Sequence, residues 1–388
     1  EEEEEEEEGP SAEERARWLL TDWRESHAKN SGSAILEKVR RGDLKALAKA
    51  PEDLLRNRSF VIEALSKDVR SLEYAAAELQ GDRVVLLAAT RLSAYSLQLA
   101  PEAMRKDAAF MLEAVAANGQ ALEFAHQRLQ KDRQLVLAAV RQSGTALRFT
   151  SDKLKRDKEV VLQAVRQDGL ALEYAAEQLQ MNREVALEAA FQNISALKFC
   201  PAVVMADPPF VLKVLRRSAF ALQFAAESLR GDREFVLEAI KQDCIVGRDG
   251  LVLQFATEEV RSDQDLLLKA CKRTGTALRF APPSLLADRN FMWEAVKQNS
   301  VAMKYAAEVL LEDRYWMMEA LKIKGSCLRY VPEKCLEDRE LVLEAVKSDR
   351  AALHYAPVAM REDPATISQV NLAVSRESRE DDDDEEED

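Results

Sequence analysis

An aspartate or asparagine recurs every 25 residues along most of this 388-residue chain. The recurring residues stand at positions 57, 82, 107, 132, 157, 182, 207 and 232, and after one interruption at 263, 288, 313, 338 and 363. A fixed period of this length is typical of a stacked array, in which each unit packs against its neighbours. The sequence therefore predicts about thirteen copies of one small unit instead of two or three separate domains.

Each copy begins with a segment whose apolar residues have helical spacing. In the copy D-R-E-L-V-L-E-A-V-K-S at 338–348, apolar residues fill places four, five and six and again eight and nine. This broad apolar face predicts an α-helix contacted from more than one side. The opening Asp or Asn suits the N-cap, where its side chain accepts a hydrogen bond from a free backbone amide. Glycines that we expect to end the helix are Gly119, Gly144, Gly169, Gly275 and Gly325.

The second segment of each copy has the form A-L-x-F/Y-A, and a further apolar residue follows four places later. Several copies carry a proline just after this stretch, namely Pro101, Pro201, Pro282, Pro332 and Pro357. Proline is costly inside a helix but acceptable in a first turn, so the segment is predicted to be kinked or split into two short turns. Each copy is thus interpreted as a two-helix repeat.

Two columns of the repeat are nearly uniform. Alanine fills one place in eleven of twelve copies, with Val214 the exception, which predicts close helix approach. An aromatic residue fills another place, and we expect these rings to form a continuous buried core. The aromatic column comprises Tyr74, Phe124, Phe149, Tyr174, Phe199, Phe224, Phe255, Phe280, Tyr305, Tyr330 and Tyr355.

The combined motif D-R-x-x-V-L-x-A-V-x-Q-x-G-x-A-L-x-F/Y-A-x-x-x-L resembles the tandem helical repeats catalogued as a domain of unknown function, number 4116. The resemblance covers about residues 32–370 and implies an all-α fold, an α-solenoid. It carries no established activity and no catalytic residues to transfer. Copies that depart from the motif include the one with Ile194 in the glycine place and the one with Pro208 and Pro209 after the cap.

The predicted organisation has four parts. Residues 1–10 are expected to be an acidic disordered tract, and 11–31 an N-terminal capping helix whose apolar face carries Trp18 and Trp23. An alternative for that helix is the binding of a partner. The repeat array follows over 32–370, and an acidic disordered tail over 371–388. A six-residue insertion near 244–250 breaks the period; we expect an exposed loop there, either tolerated or marking a bend or docking point.

The negative charge is concentrated in two terminal tracts. Glu1–Glu8 and Asp381–Asp388 hold sixteen of the 69 acidic residues, which leaves 53 acids against 55 lysines and arginines in the rest of the chain. The array is therefore close to neutral. Tracts of like charge stay solvated, but they could also bind a basic partner or fold back onto a basic surface.

The sequence favours a protein without catalytic activity, metal or cofactor. His27, His126 and His354 are separated by whole repeats, and the five cysteines have no C-x-x-C spacing. Neither the phosphate-binding loop nor the dinucleotide fingerprint occurs. The recurring Asp-Arg pairs are interpreted as a ladder that stabilises the stack. Without a signal segment or an apolar run of membrane-spanning length, we expect an intracellular protein, cytoplasmic or nuclear.

Two columns of basic residues are the candidate partner-binding surface. One column ends the first helix, where a cation also complements the helix dipole. The other stands just before the aromatic column and changes from acidic at Glu73, Glu123 and Glu173 to basic further on. The candidate residues are Lys272, Arg279, Lys297, Lys304, Lys322, Arg329, Lys347 and His354, with Arg248 of the insertion.

The predicted function is a non-enzymatic scaffold that binds a protein or peptide along the curved surface of the array, and an acidic peptide is one candidate partner. The chain's own acidic tail is a further possible ligand. A first alternative is a regulatory or targeting array of a longer enzyme whose catalytic domain lies outside this chain. A second is an electrostatic nucleic-acid binder, which the near-neutral array does not favour; no membrane partner is expected.

Overall fold

The computed structural model describes residues 32–245, 250–365 and 368. The predicted acidic tract, capping helix and acidic tail lie outside these residues, as does Arg248. The chain divides into two compact units, Glu1–Phe199 and Cys200–Asp388. Each unit is a stack of helical repeats in which an element packs against the matching element of the next repeat. The prediction of an all-α solenoid is confirmed.

Every complete repeat contains one long α-helix. In the first unit these helices are Arg58–Lys67, Arg83–Leu92, Ala108–Ala117, Arg133–Gln142, Lys158–Gln167 and Arg183–Gln192. In the second unit they are Pro208–Leu215, Arg233–Ile245, Gln264–Arg273, Arg289–Gln298, Arg314–Ile323 and Arg339–Ser348. The degenerate first copy instead has a helix over 32–40, followed by Lys45–Ala48 and Glu52–Leu55.

The second half of each repeat is split, as predicted, into a 3-10 segment and a short helix. The 3-10 segments are Val69–Tyr74, Ala94–Gln98, Gly119–Phe124, Gly144–Phe149, Gly169–Tyr174, Ile194–Phe199, Ala219–Phe224, Leu251–Phe255, Gly275–Phe280, Ser300–Tyr305, Gly325–Tyr330 and Arg350–Tyr355. The short helices are Ala77–Gln80, Glu102–Lys106, Asp152–Lys155, Glu177–Gln180, Ala202–Met205, Glu227–Arg230, Glu258–Arg261, Pro283–Leu286, Glu308–Leu311, Glu333–Leu336 and Val358–Arg361, with the 3-10 turn Leu129–Lys131 in the remaining copy.

Side-chain caps fix where most of the long helices begin. Asp132 accepts hydrogen bonds from the backbone amides of Gln134 and Leu135, at 2.8 and 3.1 Å. Asn182 does the same for its helix, which confirms that Asn and Asp are interchangeable in this place. A second cap was not predicted: Asp168, in extended backbone after the long helix, accepts from Leu170 N at 2.9 Å and starts the 3-10 segment. The five prolines precede the short helices, where no amide hydrogen is needed.

The interior of each unit is aliphatic, and the expected aromatic core is wrong. The alanine column and the leucines of the 3-10 segments are almost completely buried, for example Ala139 and Leu147 at 0% exposure. All eleven rings of the aromatic column are only half-buried. The ring in the last place of a 3-10 segment lies at the rim of the stack. The residues two and three places before it in the same segment already fill the interior.

The glycines after the long helices allow neighbouring repeats to pack closely. They do not adopt the left-handed conformation that ends many helices. Gly144 is buried and opens a 3-10 segment, and positive φ among the described glycines occurs only at Gly42 and Gly250. A Cβ atom on Gly144 would collide with the carbonyl oxygen of Ala164 in the next repeat. The same place in that next repeat is Gly169, which meets Ala189 in the same way. The helix C-cap interpretation of these glycines is therefore corrected.

The predicted Asp-Arg ladder joins successive repeats. The arginine after one cap reaches the capping aspartate of the next, as in Arg133 with Asp157 at 2.9 Å and Arg314 with Asp338 at 2.7 Å. The hydrogen bond from Arg133 holds the pKa of Asp157 below its ordinary value, although burial acts in the opposite direction. These pairs are partly exposed, so each contributes little to stability. Their regularity keeps neighbouring repeats in register.

The insertion lengthens the preceding helix before the chain turns. Helix Arg233–Ile245 is thirteen residues long, whereas most long helices have ten. Residues 246–249 lie outside the described part. Gly250, with φ of 76°, then begins the 3-10 segment Leu251–Phe255, and its left-handed backbone suits glycine.

Candidate functional site

The predicted basic residues of the second unit occupy two distinct places in the repeat. We call the cations at the ends of the long helices the helix-end row; it consists of Lys272, Lys297, Lys322 and Lys347. We call the residues in the fifth or next-to-last place of the 3-10 segments the segment row; it consists of Arg279, Lys304, Arg329 and His354. All eight side chains are exposed. The charged and aromatic neighbours of the two rows differ.

Most of the helix-end row is already neutralised within its own helix. Lys297 donates to Glu294 at 2.9 Å, and Lys322 donates to Glu319 at 3.0 Å. Lys347 is paired with Glu344 in the same way. The hydrogen bond to Glu319 raises the pKa of Lys322. Spacing of three residues places each Lys and Glu on one helix face, so these lysines offer little uncompensated charge.

The cations of the segment row lie beside aromatic rings instead of carboxylates. The 3-10 segment Gly275–Phe280 buries Ala277 and Leu278, so the next side chain, Arg279, points outward. Its guanidinium lies 5.9 Å from the centre of the Phe280 ring. Among the described residues, no carboxylate oxygen lies within 4.0 Å of the charged nitrogens of Arg279, Lys304 or Arg329. Their charge is therefore uncompensated at short range.

Each cation of the segment row contacts the half-buried ring beside it. The Lys304 ammonium is 5.8 Å from the Tyr305 ring centre, and the Arg329 guanidinium is 5.6 Å from that of Tyr330. Arg329 also lies 5.8 Å from the ring of Tyr355 in the next repeat. Cations within about 6 Å of a ring centre are attracted by its quadrupole. The rings thus orient the cations and link one repeat's cation to the next repeat.

The matching column in the first unit has a different charge pattern. Glu73, Glu123 and Glu173 alternate there with Gln98, Arg148 and Lys198. The two cations contact their rings as in the second unit, with Arg148 at 4.4 Å from the Phe149 ring and Lys198 at 4.6 Å from the Phe199 ring. A continuous run of cations in this column belongs to the second unit alone among the described repeats.

The four cysteines whose side chains the structure describes are unsuited to nucleophilic chemistry. Cys200, Cys271 and Cys327 are buried, and burial raises the pKa of each thiol to about 12. Burial also raises the pKa of the half-buried Cys335. A protonated thiol is a poor nucleophile and a poor metal ligand. The described residues contain no group of three His, Cys, Asp or Glu side chains placed to hold a metal ion.

Glutamine side chains form a second ladder that the sequence analysis missed. The carbonyl oxygen of Gln142 accepts a hydrogen bond from the amide of Gly119 at 2.5 Å, and Gln192 accepts from Gly169 at 2.6 Å. Each bond crosses from the end of one long helix to the start of the previous repeat's 3-10 segment. The signal was the recurrent Gln before the glycine place. Its partner is 23 residues away, which no local pattern reveals.

Two concave surfaces have no residue of the segment row in their lining. An open groove of about 890 Å³ lies at the N-terminal edge of the first unit, where Leu36, Leu54 and Phe60 meet charged side chains. A smaller one, about 280 Å³, is lined by Trp293, Tyr315 and other residues of two adjacent long helices. Lys297 covers the Trp293 ring at 3.6 Å from its centre.

Six stretches of the chain match the family described as "Domain of unknown function (DUF4116)". They are residues 57–105, 107–155, 157–202, 207–246, 244–286 and 317–361. A comparison with curated proteins finds no match. Among the described residues, every helix is too short or too polar to cross a membrane.

Proposed function

We propose that this chain, which belongs to the family described as "Domain of unknown function (DUF4116)", is a non-enzymatic repeat scaffold that binds an acidic protein segment through the segment row of its second unit. One observation carries the proposal: Arg279, Lys304 and Arg329 are exposed, lie on aromatic rings, and have no carboxylate partner among the described residues. Lys297, Lys322 and Lys347 of the helix-end row lack this property because glutamates of the same helices neutralise them, and Lys272, the remaining cation of that row, has no ring contact among the described residues.

The contacts favour a carboxylate ligand over a nucleobase. Proteins that bind single-stranded nucleic acid offer open aromatic faces on which bases stack. Here the rings of Phe280, Tyr305 and Tyr330 are half-buried, and each has a cation close to its centre. A stacked base would have to displace that cation. A carboxylate can instead accept hydrogen bonds from the outward N–H groups while the ring contact is kept.

The spacing of the row favours an extended segment with acids at regular intervals. Packed helices stand about 8–10 Å apart, so successive cations of the row are separated by roughly that distance. An extended chain rises about 3.3 Å per residue. One repeat therefore corresponds to about three ligand residues. A peptide with an acid at every third position places one carboxylate beside each of Arg279, Lys304 and Arg329.

Charge neutralisation at matched positions tests the proposal. We expect the triple variant Arg279→Gln, Lys304→Gln, Arg329→Gln to bind a fluorescent peptide with a glutamate at every third position about tenfold more weakly than the unaltered chain. The estimate takes about 0.5 kcal/mol for each exposed ion pair, and 1.4 kcal/mol is tenfold. The control variant is Lys297→Gln, Lys322→Gln, Lys347→Gln, which removes the same charge. Its affinity should stay within about twofold, because those lysines are already paired.

Fluorescence anisotropy at several salt concentrations measures these affinities, and circular dichroism confirms that both variants stay helical. Affinity should fall as salt rises, because the pairs are exposed. Equal weakening by both variants would reduce the interaction to net charge and contradict the proposal. Tighter binding of a single-stranded oligonucleotide than of the peptide, lost in the segment-row variant, would favour the nucleic-acid alternative instead.

A further inference from the structure

We infer that the acidic tract Asp381–Asp388 of the same chain occupies the segment row and competes with the outside partner for it. This inference rests on the proposed function, because it names a second ligand for the same cations. Eight consecutive carboxylates follow the last repeat in the sequence, and the segment row carries three cations without a carboxylate partner among the described residues. The charges of tract and row are thus complementary.

The connecting chain is long enough for this contact. Asp363 is held in the last repeat by its ion pair with Arg339 at 2.8 Å, and seventeen residues lie between it and Asp381. Fully extended, a connection of that length reaches up to roughly 60 Å. Arg329 and Arg279 are two repeats apart, roughly 20 Å at the usual helix spacing. The reach of the connecting chain therefore exceeds the length of the row, and attachment within one chain raises the effective concentration of the tract.

The distribution of charge selects the C-terminal tract over the N-terminal one. Glu1–Glu8 has the same number of acids but is joined to the first unit. In that unit the corresponding column carries the exposed carboxylates of Glu73 and Glu173 together with Glu123. The other places of that column hold Gln98, Arg148 and Lys198, so three carboxylates outnumber two cations and the column has no net positive charge to attract an acidic ligand. The column nearest in sequence to Asp381–Asp388 attracts one.

The tract can be aligned with the segment row in several registers, because every residue of Asp381–Asp388 carries a carboxylate. The tract needs no particular sequence to place an acid beside each cation. It can also be displaced gradually, because each exposed pair is weak and several equivalent registers exist. An outside segment with acids at every third position, presented at sufficient concentration, replaces it. The tract thus sets a threshold for partner binding.

Matched amide substitutions in the full-length chain test the inference. In one variant all eight acids of Asp381–Asp388 are changed to Asn or Gln; in the other, Glu1–Glu8 are changed to Gln. Both lose eight negative charges. We expect the first to bind the peptide with glutamate at every third position at least fivefold more tightly than the unaltered chain. The second should bind within about twofold of it.

Equal tightening by both variants would overturn the inference, because it would indicate general repulsion of an anionic peptide. No tightening by the C-terminal variant would overturn it too. Failure of the proposed function is recognised separately by adding Arg279→Gln, Lys304→Gln and Arg329→Gln to the C-terminal variant. If that combination still binds the peptide tightly, the row is not the binding site; if it binds weakly while the tail substitutions alone change nothing, only the tail inference fails.

Discussion

The closeness of neighbouring repeats is set by side chains of one carbon or none. Ala139 and Ala164 are completely buried where long helices meet. Gly119 and Gly144 lie where a Cβ atom would collide with the carbonyl oxygens of those same alanines. The sequence revealed the alanine column directly, because it is uniform. It could not reveal why glycine recurs, since the atom that excludes a side chain belongs to the next repeat.

At the residue scale, the substitution Gly325→Ala tests close approach. The added Cβ would collide with Ala345 O and lie 2.8 Å from Asp349 N, so we expect destabilisation by about 1–3 kcal/mol. The control Gly231→Ala places its Cβ 3.4 Å from Glu227 O, in ordinary contact. It should leave stability unchanged or raise it by less than about 1 kcal/mol. The midpoints of urea unfolding measure both changes in stability. A Gly325→Ala chain as stable as the Gly231→Ala chain would contradict the close approach at Gly325.

The long helix and the 3-10 segment differ in how far the sequence specifies them. Asp157 opens its helix with a side-chain cap, and apolar places with a 3.6-residue period follow, so the helix was predictable. The segment Gly169–Tyr174 also has helical apolar spacing over its few residues, so its 3-10 geometry could not be predicted from the sequence. Tyr174 lies at the rim although its column looks like a core. A ring can bury one face and expose the other, and a regular column is compatible with either place.

At the element scale, alanine substitutions distinguish the interior of a 3-10 segment from its rim. Leu147 is completely buried, whereas Phe149 is half-buried beneath Arg148. We expect Leu147→Ala to lower the free energy of unfolding by about 2–5 kcal/mol, and Phe149→Ala by less, about 1–2 kcal/mol, because much of the ring stays in contact with water. Urea unfolding followed by circular dichroism checks the order. A larger loss for Phe149→Ala would restore the aromatic column as the core.

At the scale of the whole molecule, charge is distributed by segment. The two terminal tracts carry sixteen acids, and the rest of the chain is nearly neutral. Sequence periodicity identified both basic columns, but it could not separate a cation paired along its own helix, such as Lys322, from one lying on a ring, such as Lys304. That distinction depends on side-chain neighbours in three dimensions. It is the basis on which the segment row is proposed as the binding surface.

Zero-length carbodiimide coupling tests the central claim most directly, because it joins a lysine ammonium to a peptide carboxylate only where they touch. The chain with amides at 381–388 is treated together with the peptide that has a glutamate at every third position, and mass spectrometry locates the adducts. We predict coupling at Lys304, and little at Lys297, Lys322 and Lys347, whose ammonium groups are engaged by glutamates of their own helices. Coupling spread evenly over these four lysines, or concentrated in the first unit, would contradict the assignment of the segment row.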